Sequence, residues 1–260
     1  MIKSNYHTHT VFSDGKNTPE EMIEAAINLG FEKLGFSDHA YTDFYGGWSV
    51  PKDRLEEYVT TLRRLQEKYA DRIKIYVGLE QDALAIPVPT GLDYYIGSVH
   101  WIKKGDRYIE MDHSQEILRD AIRDLYNGDV DGLAEDYFDL VASYAEDPHV
   151  GFIGHFDLIT KFDEKQPPLF LPTPRYTAAW QKAAKKLIDA GKIFEINTGA
   201  ISRGRRITPY PSEEILKFWG EHGAKVIVCS DCHAADAIDC AFDQAEALAK
   251  KYNINLVDLF

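Results

Sequence analysis

The stretch IKSNYHTHT at residues 2–10 begins with a short segment of extended character, Ile2–Tyr6. Two histidines, His7 and His9, follow this segment directly. In an extended chain, side chains two residues apart leave the same face, so both imidazoles point to one side. A short apolar segment that ends in a histidine, aspartate, glutamate or asparagine recurs at six further places along the chain. This recurrence predicts parallel strands that present polar side chains at a common end.

Seven candidate strands are continuous apolar runs rather than alternating ones, as is typical of strands covered on both faces. They are Ile2–Tyr6, Lys33–Phe36, Ile73–Leu79, Tyr94–Val99, Val150–Gly154, Ile193–Ile196 and Lys225–Cys229. Candidate helices are Thr18–Gly30, Lys52–Tyr69, Ser114–Asn127, Leu133–Glu146, Tyr176–Ala190, Ser212–Glu221 and Ala235–Lys251. Alternating strands and helices predict parallel strands with right-handed crossovers. Seven strands predict an α/β fold, a distorted (β/α)7 barrel.

The composition is that of a globular protein, with 260 residues of which 45% are hydrophobic and 27% charged. We find no internal repeat or linker and expect a single domain over residues 1–260. The formal net charge of −13 repels polyanions and argues against extended nucleic acid as a partner. No apolar run approaches the ~18 residues of a transmembrane helix, and no signal peptide is visible. These features predict a cytoplasmic protein without a membrane partner, and the odd number of cysteines argues against a disulfide framework.

The carboxyl ends of the candidate strands carry six of the nine histidines. In parallel barrels this end is where active sites form. A structural role is a reasonable alternative for one such histidine, but not for six that share the same position. The strand-end residues are His7, His9, Asp38, His39, Glu80, His100, His155, Asn197, Asp231 and His233.

Imidazoles and carboxylates together are ligands that suit Zn, Fe or Mn. So many ligands exceed the need of one ion, and a carboxylate such as Glu80 can bridge two ions. Clustered ions polarise a phosphoryl group, generate hydroxide at neutral pH and stabilise the leaving oxygen. The sequence therefore predicts a hydrolase of phosphate esters with two to three divalent transition-metal ions as cofactors.

The motif set of this chain resembles the PHP (polymerase and histidinol phosphatase) family, from Ile2 to about Ala234. The motifs are HTHT at 7–10, FSDHA at 36–40, GLE at 78–80, GSVH at 97–100, GHFDLI at 154–159 and SDCHA at 230–234. The surroundings of His155 and the segment EINT at 195–198 are most similar to the histidinol-phosphate phosphatase branch. This resemblance implies a phosphomonoesterase of histidine biosynthesis that converts L-histidinol phosphate and water to L-histidinol and inorganic phosphate.

The resemblance also implies a trinuclear set of ligands. A first metal would be held by His7, His9, Glu80 and Asp231, a second by Glu80, His100 and His155, and a third by Asp14, His39 and His233. Many relatives carry a histidine at the position of Asp14, so this ligand is a departure from the family pattern. Glu80, Asp231 and His9 are the expected catalytic residues.

Cationic side chains near the strand ends are expected to bind the phosphate. Arg203 and Lys161 are preferred, and Arg205, Ser13 and Asn197 complete the predicted substrate contacts. A cationic amino alcohol would also need a carboxylate, for which the candidates are Asp157, Asp43 and Asp112.

Other residues are assigned supporting roles or left with two interpretations. Asp38 is expected to orient His39 rather than bind a metal. Cys229 and Cys232 are expected to be structural, since no second pair completes a four-thiolate site. His113, His149 and His222 are expected on the surface or in packing. Trp48, Trp101 and Tyr45 are either walls of a substrate pocket or anchors of a loop.

Two rival functions are compatible with the same motifs. A PHP phosphodiesterase or exonuclease would cleave nucleotides or nucleic acid, but the chain lacks a long Lys/Arg stripe. A non-catalytic metal-binding module would have lost ligands, whereas this chain departs from the family pattern only at Asp14.

Overall fold

A ring of parallel strands forms the centre of the structure, a computed structural model that describes residues 2–87 and 89–260. The strands are β1 (Ser4–Asn5), β2 (Lys33–Phe36), β3 (Lys74–Val77), β4 (Glu80–Asp82), β5 (Ile96–Ser98), β6 (Trp101–Lys104), β7 (Arg107–Glu110), β8 (Phe152–Ile153), β9 (Ile193–Asn197), β10 (Lys225–Cys229) and β11 (Asn255–Leu256). The helices are α1 (Pro19–Asn28), α2 (Leu55–Lys68), α3 (Gln115–Leu125), α4 (Val130–Ser143), α5 (Pro174–Asp189), α6 (Gly199–Ser202), α7 (Glu213–Glu221) and α8 (Phe242–Lys251).

Two isolated bridges close the ring of strands. Strands β1, β2 and β3 form one parallel sheet, and β4, β5, β8, β9, β10 and β11 form a second. His39 bridges to Glu80 and joins the two sheets, while Thr8 bridges to Cys232 and joins β1 to the segment after β10. Strands β3 and β4 are consecutive in the chain and together occupy one place in the ring. The ring therefore has seven strand positions, as predicted from the sequence. The distorted (β/α)7 barrel is confirmed, and the break between β3 and β4 is part of the distortion.

Aromatic and aliphatic side chains fill the inside of the barrel. The inner cluster consists of Tyr6, Tyr94, Ile96, Phe152, Ile227 and Cys229. Below it, the C-terminal segment pairs with β10 through β11, and the ring of Phe260 stacks on Tyr76 with centroids 4.1 Å apart. Apolar packing therefore closes the amino end of the barrel, and the polar strand ends gather at the carboxyl end.

Local sequence signals explain where the first helix begins and ends. Thr18 accepts a hydrogen bond from the Glu21 amide, and the Glu21 carboxylate accepts one from the Thr18 amide. This reciprocal pair is a capping box, and Pro19 occupies the first turn, where no donor is lost. Gly30, with φ +78°, follows the last turn, a left-handed position that favours glycine. Both predicted ends of this helix are confirmed.

The structure differs from the sequence prediction in several elements, among them helix α6 and strand β11, which were not predicted. The last predicted helix, Ala235–Lys251, begins only at Phe242 because Ala241 adopts φ +58° and interrupts it. Strands β6 and β7 form an antiparallel hairpin that was not predicted. Its turn at Gly105, with φ +60°, contains the dipeptide Gly105-Asp106, which is a hairpin signal in the sequence. Within the described residues no helix is long and apolar enough to cross a membrane.

Candidate metal centre

All nine predicted metal ligands lie together at the carboxyl end of the barrel. Their nitrogen and oxygen atoms form four groups in which the atoms lie within 4.8 Å of one another. The groups are His9, Asp14, His39 and His233; His7, Glu80 and His155; His7, His9 and Asp231; and His39, Glu80 and His100. In the described part of the chain no other histidine, cysteine, aspartate or glutamate belongs to such a group. The site can therefore hold several divalent ions.

Glu80 lies at the centre of this cluster, and each of its carboxylate oxygens faces at least two imidazoles. Oε1 lies 2.7 Å from Nε2 of His155 and 3.3 Å from Nε2 of His100. Oε2 lies 2.8 Å from Nδ1 of His39 and 3.3 Å from Nε2 of His7. Glu80 therefore belongs to two groups of ligand atoms, one with His7 and His155 and one with His39 and His100. A carboxylate that bridges two ions would have to belong to two such groups.

The charges around the cluster favour a bound cation. Burial would raise the pKa of Glu80, but the imidazoles of His7 and His100 hold it well below its usual range. Burial, reinforced by His233 and His39, lowers the pKa of His9 to about 3. His9 is therefore a neutral imidazole at neutral pH, which is the form that binds metals.

The polar atoms of the cluster fit divalent metal ions. Nε2 of His7, both ring nitrogens of His9, Nδ1 of His39 and Oε2 of Glu80 are buried, and none of the short contacts that they make in the described residues has the geometry of a hydrogen bond. Buried polar atoms without partners cost about 1–3 kcal/mol each, and a metal ion accepts their lone pairs. The combination of imidazole and carboxylate suits Zn, Fe or Mn.

Asp231 reaches the cluster from an unusual backbone conformation. Its φ of +46° lies in the left-handed region, and a Cβ at Gly199 would lie 2.7 Å from its Oδ2. Its Oδ1 is 3.2 Å from Nε2 of His9, and Arg203 donates to Oδ2 at 3.0 Å. A strained non-glycine residue held by several contacts is typical of a functional site.

Asp14 joins the cluster because Asp38 holds its loop in place. Oδ2 of Asp14 lies 3.2 Å from Nε2 of His233. Asp38 accepts hydrogen bonds from the Thr10 amide at 2.8 Å and from the Ser13 hydroxyl at 2.5 Å. The predicted role of Asp38 in orienting His39 is thus corrected, because Asp38 fixes the loop after His9. Ser13, predicted to contact substrate, uses its hydroxyl in this bond and does not line the cavity.

Glu195 is a functional residue that the sequence analysis missed. Its Oε1 lies 2.8 Å from Nδ1 of His7, and its Oε2 accepts from the His155 amide and from the Asn197 side chain, both at 2.9 Å. A carboxylate that binds Nδ1 leaves Nε2 of His7 to face the cluster. Asn197 also donates to Asp231 at 3.3 Å and is fully buried, so its prediction as a substrate contact is corrected. The available signal was a glutamate inside a buried strand, which is rare without a partner.

A cavity of about 420 Å³ opens above the cluster and contains all three predicted cationic contacts. Lys161 is paired with Asp112 at 2.8 Å, and Arg203 is bound to Asp231. The guanidinium of Arg205 has no hydrogen bond or ion pair within the described residues. The sequence analysis preferred Arg203 and Lys161, but Arg205 is the cation that is free to bind an anion.

One part of the cavity wall is acidic. Glu110, at the end of β7, and Asp112 both line it. Burial would raise the pKa of Asp112, but Lys161 and His100 lower it to about 2. The other two candidate carboxylates lie elsewhere, since Asp157 is fully buried and the side chain of Asp43 is 70% exposed and pairs with Lys52.

Aromatic residues complete the cavity. Trp48 lines it and contacts the imidazoles of His39 and His100 edge to face. Trp101 and Tyr45 are not among the described lining residues; their rings pack against each other 5.1 Å apart. Trp48 is therefore a wall, and the other two are loop anchors. His113, expected on the surface or in packing, is exposed and also lines the cavity.

The profile of the PHP domain family matches residues 5–199. The chain belongs to the PHP domain family. A relative from Schizosaccharomyces pombe, named "probable histidinol-phosphatase", is 28% identical over 97% of this chain and 87% of its own length. The histidinol-phosphatase of Lactococcus lactis is 27% identical over 96% of this chain and 91% of its own length. The barrel is also similar to a crystal structure of the Lactococcus lactis histidinol phosphate phosphatase complexed with zinc, L-histidinol and phosphate. The TM-score is 0.74 at 22% identity, over 98% of this chain and 95% of that one.

Replacing the central carboxylate of this PHP domain tests its bridging position. We expect Glu80→Gln to lower the metal content of the purified protein and abolish turnover while the barrel stays folded, because the apolar core does not depend on this side chain. Elemental analysis, circular dichroism and a phosphatase assay measure the three quantities. Full activity of Glu80→Gln would contradict the bridging position.

The support that Glu195 gives to His7 leads to a second prediction. In Glu195→Gln, an amide NH2 group would replace one carboxylate oxygen. This group would face the N–H donors of His155 and Asn197 and could not accept their hydrogen bonds. We expect about a 10- to 100-fold loss of metal affinity, as is usual when a hydrogen-bond partner of a metal ligand is changed. Titration of metal-stripped protein with zinc measures the affinity. The control Glu24→Gln, whose carboxylate pairs with Arg72 at the surface, should bind zinc like the unchanged protein; equal affinities in both variants would refute the role of Glu195.

Proposed function

We propose that this chain is a metal-dependent phosphomonoesterase that hydrolyses L-histidinol phosphate to L-histidinol and inorganic phosphate. The observation that carries the proposal is a single cavity that is lined by the metal-binding cluster, by a free arginine and by two carboxylates. The two relatives named as histidinol-phosphatases extend over most of this chain and support the same activity. The zinc, L-histidinol and phosphate of the Lactococcus lactis complex are molecules that such a cavity would accommodate.

Different residues of the cavity would bind the substrate and take part in the reaction. Divalent ions bound by the nine ligands would polarise the phosphoryl group and activate water at neutral pH. Arg205 would bind phosphoryl oxygens, and Lys161 would assist, because both line the cavity. Glu80 and Asp231 also line it, with His9 in contact with Asp231, so these three are the proposed catalytic residues.

The acidic wall would recognise the amine of the substrate. Glu110 and Asp112 lie on the cavity wall that the hairpin of β6 and β7 contributes. An ammonium group near two carboxylates gains favourable charge interactions. A substrate with a phosphate at one end and a cation at the other therefore fits the distribution of charge in the cavity. The same two carboxylates would repel the backbone of a nucleic acid.

The decisive experiment compares two substrates on metal-stripped protein reconstituted with Zn, Fe or Mn. We expect phosphate release from L-histidinol phosphate to be much faster than cleavage of a labelled oligonucleotide, and chelation of the metal to abolish it. Faster cleavage of the oligonucleotide would favour a PHP exonuclease. Inactivity with every metal on both substrates would favour a non-catalytic metal-binding module.

Arg205 provides a test of phosphate binding. Loss of a charge-assisted hydrogen bond costs about 1.5–3 kcal/mol, so Arg205→Ala should lower kcat/KM for L-histidinol phosphate by roughly tenfold or more. Metal content should not change, because the guanidinium does not contact the cluster. The control Arg123→Ala removes a surface arginine paired with Asp120 and Asp124 and should leave kcat/KM unchanged. An unaltered kcat/KM in Arg205→Ala would exclude it from the phosphate site.

We also propose that residues 1–260 work as one domain in the cytoplasm. One hydrophobic core cluster includes side chains from α1 through α8, such as Met22 and Ala249, which supports a single domain. Cys229, Cys232 and Cys240 are all free thiols, as is typical of proteins in a reducing compartment.

A further inference from the structure

We infer that three buried tyrosine hydroxyls, those of Tyr58, Tyr94 and Tyr144, set the spacing of the strand ends that carry the metal ligands. They are positioning residues, because none of them is among the described residues that line the cavity. Each hydroxyl lies between the backbones of two neighbouring barrel strands, within three residues of a ligand on each strand. The inference rests on the proposed metal site. It gives a role in this site to residues that are not themselves ligands.

Tyr94 connects the first two strands from inside the barrel. Its hydroxyl lies 2.5 Å from the carbonyl oxygen of Tyr6 and 3.2 Å from that of Phe36. Tyr6 directly precedes His7, and Phe36 lies three residues before His39. One hydroxyl therefore sets the distance between the strand ends that carry two different ligands.

Glycines on the surrounding strands make room for this tyrosine. A Cβ at Gly35 would lie 2.3 Å from the hydroxyl oxygen of Tyr94, and a Cβ at Gly78 would lie 2.5 Å from its Cζ. Neither glycine adopts a positive φ, so backbone conformation does not demand them. Instead, the close approach of the Tyr94 ring leaves no space for a side chain at either of these two positions.

Tyr58 connects β2 to the next strand from the outside, on helix α2. Its hydroxyl donates to the Gly78 carbonyl at 2.8 Å and accepts from the Asp38 amide at 3.3 Å. Gly78 lies at the break between β3 and β4, two residues before Glu80, and Asp38 directly precedes His39. The hydroxyl thus adds a connection to the backbone hydrogen bonds that join the two strands at this interruption.

Tyr144 makes the equivalent connection between β4 and β5. It directly follows helix α4, and its hydroxyl lies 2.7 Å from the Gln81 carbonyl and 3.0 Å from the Ser98 carbonyl. Gln81 follows Glu80, and Ser98 lies two residues before His100. Tyr144 therefore links the strand of the central carboxylate to the strand of one of its imidazole partners.

The short ladders of this barrel explain why such connections matter. The named pairing between β1 and β2 includes only two residue pairs, Ser4 with Lys33 and Asn5 with Leu34. The ligands lie beyond these pairs, where the strand ends are joined by isolated bridges and single backbone hydrogen bonds rather than by a continuous ladder. Metal sites need their ligands held to within about 0.5 Å of the productive geometry. A hydroxyl that binds the backbone next to a ligand supplies this restraint with little effect on the apolar core.

Removing one hydroxyl tests the inference. Tyr94→Phe keeps the ring and its packing, and we expect zinc affinity of the metal-stripped protein to fall about tenfold, measured by competition with a coloured chelator. The zinc concentration for half-maximal activity should rise by the same factor, while kcat at saturating zinc and KM stay near their original values. A residue needed only for folding would lower the melting temperature without this shift.

The neighbouring tyrosine offers a matched control. Tyr95 is equally buried, and its hydroxyl binds Asp147, which precedes β8 at the end of the barrel away from the cluster. Tyr95→Phe also loses a hydrogen bond, which is partly buried, but it should bind zinc within about twofold of the unchanged protein.

Equal zinc affinities in Tyr94→Phe and Tyr95→Phe would overturn the inference. If Tyr94→Phe does not fold, Tyr144→Phe is measured in its place against the same control, and the same comparison decides. Failure of the unchanged protein to bind any divalent metal would instead refute the proposed function, so the two failures are distinguishable.

Discussion

The buried charge of Glu80 is the constraint on which the whole arrangement of the metal centre depends. Its side chain has no exposure to solvent, and an ionised carboxylate in such a place is very unfavourable unless opposite charge surrounds it. The imidazoles of His7, His39, His100 and His155 meet it from four different strand ends. These strand ends must therefore lie at the same level along the barrel axis. A cation bound among them would offset the free-energy cost of burying the carboxylate.

Closure of the ring by single bridges lets the barrel meet this requirement. The bridge between His39 and Glu80 and the bridge between Thr8 and Cys232 involve residues of the cluster or their immediate neighbours. The ring is therefore closed at the level of the cluster, where the ligands must converge. At the other end, Phe260 and the inner aromatic rings supply hydrophobic packing. Stability and chemistry are thus concentrated at opposite ends of the same strands.

The sequence predicted the strands and eight of the nine clustered residues because both follow from local patterns, whereas Asp14 was predicted only through the resemblance to the PHP family. A continuous apolar run marks a covered strand, and parallel order brings every strand end to one face, so His7 and His155 could be assigned together. Other features depend on contacts between distant segments. Arg203 and Lys161 are already paired with carboxylates, and the roles of Glu195 and Tyr94 arise from partners on other strands. No local pattern reveals such pairing, since the partners are far apart in the chain.

The cluster alone does not explain selectivity, because any phosphate ester offers metal ions the same phosphoryl group. Discrimination must come from groups that contact the remainder of the substrate. The groups that we propose for this contact lie on connecting segments, with Glu110 at the end of a hairpin and Arg205 in the loop after α6. The strands fix the ligands through backbone pairing, whereas these segments contribute side chains to the cavity. Changes in the hairpin would therefore alter the choice of substrate while the metal centre is preserved.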